Sequence, residues 1–298
     1  KIGGQPGEWP TVMCGSIFYD RHKIVSNASG GIFDKAAAKE LLDREAELSK
    51  SFGLQRMPDV IGDTVEALTK YVDFVLETVE GPMLVDSSSI NTLLQTFKRY
   101  SGSEVMNRLV YSPIDLHLKD EHFEEIKKLQ VKNALVLAFS PEAIMPEQKL
   151  EVLMGKEWGS NVKSENSLIA KAEQAGIENM IIDVGVIDLV GTAWSSVSIS
   201  EVKNRLGLPS GCAPSNALFS WQRSHKDTLK TPAQTGASGA AVYSSTIYMG
   251  ADFVLYGPIR CAEWAYPACA ISDALVSYGN RLSGIRPKER THPLYCLK

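Results

Sequence analysis

Five polar residues stand where short apolar runs end. Asp59 lies in the run Arg56 to Ile61, and Asp86 follows Met83-Leu84-Val85. Ser112 follows Leu109-Val110-Tyr111, Asp183 closes Asn179-Met180-Ile181-Ile182, and Asn216 trails Gly211-Cys212-Ala213-Pro214-Ser215. They have no metal-site spacing and form no evident nucleophile–base pair. Carboxylate, amide and hydroxyl groups together suit a neutral heterocycle rich in N–H donors. A carboxylate can accept two parallel N–H bonds from an amino-pyrimidine edge, which gives direction as well as strength. The same residue types cap helices, so on local sequence each has two open roles.

The elements that would position them recur in order. Strands are predicted at 12–19, 56–61, 83–85, 108–111, 133–139, 179–183, around 208–216 and at 251–256. They are short and wholly apolar, the pattern of a parallel sheet buried on both faces. Helical segments alternate with them. Asp34 opens a long one through about Ser51, rich in good helix formers. Asp63 and Glu66 give a capping-box-like start to a second, in which Val65, Leu68, Val72, Val75 and Val79 form one apolar stripe. Ser140 to Lys163 reads as the largest loop insertion, and Gly236 to Met249 as a helix packed close to its neighbours. Eight such alternations predict one (β/α)8 barrel over residues 1–298, with a Gly/Pro-rich N-terminal loop lying as a lid across one end. A barrel of parallel strands brings all five polar residues to one rim, since the strands' C-terminal ends converge there. A doubly wound open sheet would show a glycine-rich dinucleotide fingerprint after the first strand, and none is present.

Composition narrows the class. The chain has 298 residues, 44% hydrophobic and 22% charged, as in ordinary soluble domains. A net charge of -4 supplies no basic field, which argues against nucleic acid. No apolar run is long enough to span a membrane. Five cysteines without CxxC spacing and five histidines without HxH or HExxH argue against zinc and against a disulfide framework, and point to a cytoplasmic location. Asp20-Arg21-His22-Lys23-Ile24-Val25 approaches the Asp-x-His-x-x-Gly loop that places a histidine under cobalt. Val25 stands where the glycine is needed, and a β-branched residue does not fit a tight loop. His22 is therefore expected at the surface or in a loop, with no corrinoid held stably by this chain.

Longer strings carry a resemblance. Gly3-Gly4-Gln5-Pro6-Gly7-Glu8, Arg21-His22-Lys23-Ile24-Val25, Gly31-Ile32-Phe33-Asp34-Lys35, Gly81-Pro82-Met83-Leu84, Leu206-Gly207-Leu208-Pro209 and Val254-Leu255-Tyr256-Gly257-Pro258-Ile259 resemble the H subunit of tetrahydromethanopterin S-methyltransferase and its bacterial relatives. Among those relatives is the tetrahydrofolate methyltransferase of glycine betaine catabolism, which Gly211 to Asn216 resembles most. The resemblance spans nearly the whole chain. It implies a (β/α)8 barrel that exchanges a methyl group between N5 of a reduced pterin and a corrinoid. The main expectation is methyl transfer from methylcob(III)alamin to tetrahydrofolate, forming 5-methyltetrahydrofolate. The alternative is a tetrahydromethanopterin-dependent or partner-dependent component working in the opposite direction.

The same resemblance implies residue roles. Asp86 and Asp183 correspond to the aspartates that hold the pterin after the third and sixth strands. Ser112 takes the place of an asparagine after the fourth, and a hydroxyl cannot replace a two-sided amide. Asn216 is assigned to the amide near N5, because Pro214 has no side-chain hydrogen-bonding group. Asp59 and Gly211 complete the expected pterin-binding set. Cobalamin is expected from outside, free or on a corrinoid protein, and a homodimer is implied. A third reading, pterin condensation of the dihydropteroate synthase type, needs a basic residue near the strand mouths, and none stands out.

Overall fold

In a computed structural model, residues 1–155 and 164–297 are described. Eight strands form the barrel: β1 Val12–Ile17, β2 Asp59–Ile61, β3 Met83–Asp86, β4 Leu109–Ile114, β5 Asn133–Leu137, β6 Asn179–Asp183, β7 Ser210–Cys212 and β8 Phe253–Pro258. All pair in parallel with their neighbours, and pairing of β8 with β1 closes the sheet. Gln55–Arg56 pairs with β1 just ahead of β2. The helices are α1 Lys35–Phe52, α2 Val65–Thr78, α3 Ile90–Tyr100, α4 Asp120–Lys128, α5 Pro146–Met154, α6 Leu168–Gln174, α7 Thr192–Leu206, α8 Pro214–Ser224, α9 Pro232–Tyr248, α10 Ala262–Gly279 and α11 Pro293–Cys296. This is the predicted (β/α)8 architecture.

The alternation of side chains along each strand builds two cores. Val12, Cys14, Met57, Leu84, Val110, Leu135, Ile181, Phe253 and Leu255 fill the barrel itself. The other strand faces pack against the helices in a second, larger cluster. The N-terminal loop closes the base, the end at which the strands begin. Ile2 packs against the barrel interior, while Ser277 Oγ and Asn280 Nδ2 donate to the carbonyls of Gly7 and Pro6 at 3.0 and 2.8 Å. Gly7 has φ +81°, and a Cβ there would lie 2.5 Å from Ser277 Cα. The loop therefore requires glycine at this point.

Several local expectations change. Asp34 caps α1 as predicted, accepting from Ala36 and Ala37. The cap of α2 is Thr64, which accepts from Ala67, so the predicted capping box is displaced. Part of the predicted loop 140–163 is helix α5, which starts on Pro146, a favoured first helical residue; 156–163 lie outside the described residues. Pro214 likewise opens α8, so Asn216 sits in a helix rather than a loop. The small-residue face of α9 meets α10: a Cβ at Gly239 would come within 2.2 Å of the Trp264 ring. Gly239 thus serves internal packing. No helix among the described residues is long and apolar enough to cross a membrane.

Candidate active site

The alternation that fills the barrel also aims the polar residues. Leu84, Val110 and Ile181 face the barrel interior. Two residues further along the same strands come Asp86, Ser112 and Asp183, on the same face and nearer the mouth. Met57 and Asp59 repeat the pattern, as do Cys14 and Ser16. Strand register joins the set: Asp86 pairs with Ser112, and Gly211 with Asp183. Ser112 Oγ donates to Asp86 Oδ2 at 3.0 Å, and Ser16 Oγ to Asp59 Oδ2 at 2.7 Å. Asp59 Oδ1 is buried and has no partner among the described residues. Asp183 Oδ1 accepts from the Gly185 N–H at 2.7 Å. The cap of α3 is Ser89, not Asp86. Asp86 therefore spends its carboxylate in the mouth.

Burial governs the charge here. Asp59 is 2% exposed and Asp183 5%. Loss of hydration pushes both carboxyls up to about 6, despite hydrogen bonds from Ser16 and Gly185 that favour the ionised form. The Asp86 carboxyl is raised further, first by burial and then by the fields of Asp59 and Asp183. Three carboxyl groups thus feel one another across the mouth. With the hydroxyls of Ser16 and Ser112 they form an acceptor-rich floor, and the unpartnered Asp59 oxygen is the sort of atom that a ligand's N–H would satisfy.

The other sequence candidates have different environments. Gly211 is a packing residue, since a Cβ would lie 2.1 Å from the Phe253 carbonyl oxygen. Asn216 is exposed in the first turn of α8, and its amide makes no hydrogen bond among the described residues. His22, expected at the surface or in a loop, lies in a loop and is 5% exposed there. It accepts the Phe18 N–H at Nδ1 over 3.1 Å and stacks on Tyr19 with ring centroids 4.3 Å apart. Burial, aided by Arg260, holds its imidazole down at about 4. Phe18 has φ 65°, and its ring stacks on Tyr71 at 4.2 Å, so packing holds a backbone conformation that a bulky residue otherwise avoids.

Two cations escaped the sequence reading. Arg260 follows β8 and donates to Tyr19 Oη at 2.8 Å, so a basic residue does stand beyond a strand end. A β8 that runs straight into a 3-10 turn was the available signal. Lys149, on α5, is 1% exposed. No signal marked it, because its helix lies in a stretch of mixed character. Among the described residues no cluster of three or more His, Cys, Asp or Glu could hold a metal ion. All five cysteines are free. Clefts of about 810 and 480 Å³ lie at the barrel's base; their linings contain none of the mouth carboxylates.

Fold and site define a (β/α)8 barrel with an acidic, hydrogen-bonding mouth. Solved structures agree on the fold. Yersinia pestis dihydropteroate synthase with a pterine-sulfa conjugate superposes with a TM-score of 0.60, covering 90% of this chain and 94% of that one at 14% identity. The Xanthomonas albilineans enzyme in complex with 7,8-dihydropteroate gives 0.57 at 15% identity, covering 90% and 94%. Sequence comparison is more specific. Residues 1–288 match the family model described as the tetrahydromethanopterin S-methyltransferase MtrH subunit. The H subunit of tetrahydromethanopterin S-methyltransferase from Methanococcus aeolicus is 36% identical, and that from Methanocaldococcus jannaschii 34%; each match covers 100% of this chain and 95% of the relative. The chain belongs to the MtrH family of methyltransferase subunits.

Proposed function

We propose that this chain moves a methyl group between N5 of a reduced pterin and a corrinoid, working alongside a corrinoid-bearing partner. The observation that carries the reading is the convergence of the buried Asp59 and Asp183 and the half-buried Asp86 at one barrel mouth. Asp86 and Asp183 would hold the amino-pyrimidine edge, with Ser112 fixing the Asp86 carboxyl and Asp59 offering its free oxygen. Asn216, exposed and unpaired, would present its amide to N5, where charge changes during transfer. The corrinoid, when bound, supplies or accepts the methyl group at cobalt. The protein's share is orientation of two large partners and exclusion of water from the floor.

The names of the relatives favour tetrahydromethanopterin as the pterin class and a multi-subunit setting. They lend no support to tetrahydrofolate or glycine betaine breakdown. The tetrahydrofolate reading keeps one observation, the string Gly211 to Asn216 around the seventh strand. Purified chain is therefore incubated with each pterin and methylcob(III)alamin, while cobalamin absorbance and pterin binding are followed. Methyl loss with tetrahydromethanopterin supports the main proposal, and loss with tetrahydrofolate alone supports the second. Binding without turnover, rescued by a corrinoid protein, assigns a partner-dependent component. Failure to bind either pterin overturns the function. Size-exclusion chromatography of the same sample tests whether the working unit is a homodimer.

A further inference from the structure

Lys149 reaches the mouth from outside the barrel. It is 1% exposed, and a lysine is rarely so buried without a partner. Nζ donates to the carbonyl of Val184 and, at 3.0 Å, to that of Gly185. The Val184 carbonyl and the Gly185 N–H belong to one peptide group, and that N–H donates to Asp183 Oδ1 at 2.7 Å. The order is ammonium, peptide carbonyl, peptide N–H, carboxylate. A cation on the carbonyl end polarises the peptide and strengthens the hydrogen bond at its other end. Ser195 Oγ donates to the Gly185 carbonyl at 2.7 Å, so α5 and α7 fix this turn from two sides.

We propose that Lys149 is a positioning residue that sets both the aim and the charge of Asp183 through the Val184–Gly185 peptide. Its consequence for binding rests on the pterin reading; its geometry does not. The groups facing Asp183 are Lys149 from α5, Cys14 from β1, Asp86 from β3 and Cys212 from β7. Lys149 is the cation in that set, and its field opposes the rise that burial imposes on Asp183. It divides the ring: Asp183 stays the ionised acceptor while Asp86 is pressed toward its neutral form. An ionised carboxylate accepts two N–H bonds, whereas a neutral carboxyl can donate to a ring carbonyl or nitrogen. A pterin edge carries both kinds of partner.

The test is titration of the Asp183 carboxyl by carbon NMR in wild-type protein, Lys149→Met and Lys149→Arg, with pterin affinity measured over the same pH range. In Lys149→Met the Asp183 midpoint is expected to move up by at least one pH unit, and the acid limb of pterin affinity with it. Lys149→Arg should restore most of both. An unmoved midpoint overturns the proposal. The titration needs no ligand, so a protein that binds no pterin can still pass it, and one that binds pterin normally can still fail it. If Lys149→Met does not fold, Asp183→Asn carries the test. The Lys149 Nζ resonance should then titrate at lower pH than in wild type, and an unchanged titration overturns the pairing.

Discussion

The two ends of the barrel treat buried acids differently. At the base, Asp252 receives Lys203 in an ion pair and the Ser210 N–H at 2.9 Å. Asp273 receives both the N–H and the hydroxyl of Thr11, at 2.6 and 2.9 Å. Crowding is common to both ends, since Asp252 raises Asp273 as Asp59 and Asp183 raise Asp86; but at the mouth Asp59, Asp86 and Asp183 each have a single hydroxyl or amide donor. Groups arranged for stability are satisfied in place. Groups left short of donors cost stability and are kept where a ligand completes them. The acids at the base tie the starts of β1 and β7 to α10 and α7; those at the mouth keep fewer donors.

The largest expected effect breaks the base. Lys203→Met strands the Asp252 carboxylate, and loss of one member of a buried pair costs about 3–5 kcal/mol. Urea unfolding should show it as a lowered midpoint. A loss under about 1 kcal/mol would mean that the base is no better paired than the mouth. The mouth should answer with the opposite sign. Asp59 has its folded-state midpoint raised to about 6 from an ordinary 3.8. The penalty therefore accumulates as pH rises from about 4 to about 6 and is constant above. Asp59→Asn escapes it. The variant should be more stable than wild type at pH 8, by up to about 3 kcal/mol, with the gain fading to nothing below about pH 4. A gain that does not vary with pH would trace to packing instead of charge.

A smaller pair of changes separates folding from binding. Asp86→Ala and Asp183→Ala should each lower pterin affinity at least tenfold, about 1.4 kcal/mol, without lowering the urea midpoint. Calorimetry giving wild-type affinity in both would remove the carboxylates from the pterin site and erase the contrast between the two ends.

Much of this contrast was legible in the sequence. Short apolar strands closing on Asp86 and Asp183 announced both the barrel and its acidic rim, because alternation along a strand fixes which residues share a face. The base was harder to read. Lys203 and Asp252 lie far apart in sequence, and the pairing of β7 with β8 brings them together. Lys149 was hidden for a related reason. Its helix α5 has a mixed pattern, and its role depends on a peptide group beyond the end of β6. His22 lies in a loop, one of its two expected places, but is buried there. Its burial depends on a turn at Phe18 that no local propensity favours. Asn216 was placed two residues beyond Pro214 in an assumed loop, whereas the proline begins a helix there.

That placement sets up the finest test. In the first turn of α8, Asn216 stands at the positive end of the helix, its own backbone N–H donating to the Ala213 carbonyl at 3.3 Å. Its amide is exposed and has no partner among the described residues, so its removal breaks nothing in the folded protein. Asn216→Ala is expected to leave the urea midpoint and the pterin affinity within error of wild type and to slow methyl transfer at least tenfold. A contact formed only as N5 changes charge affects kcat and kcat/KM together. A variant with unchanged kinetics would place Asn216 outside the chemistry. A variant that instead loses pterin affinity would make it one more member of the binding floor, and the mouth would then lack a group that distinguishes the transition state from the bound pterin.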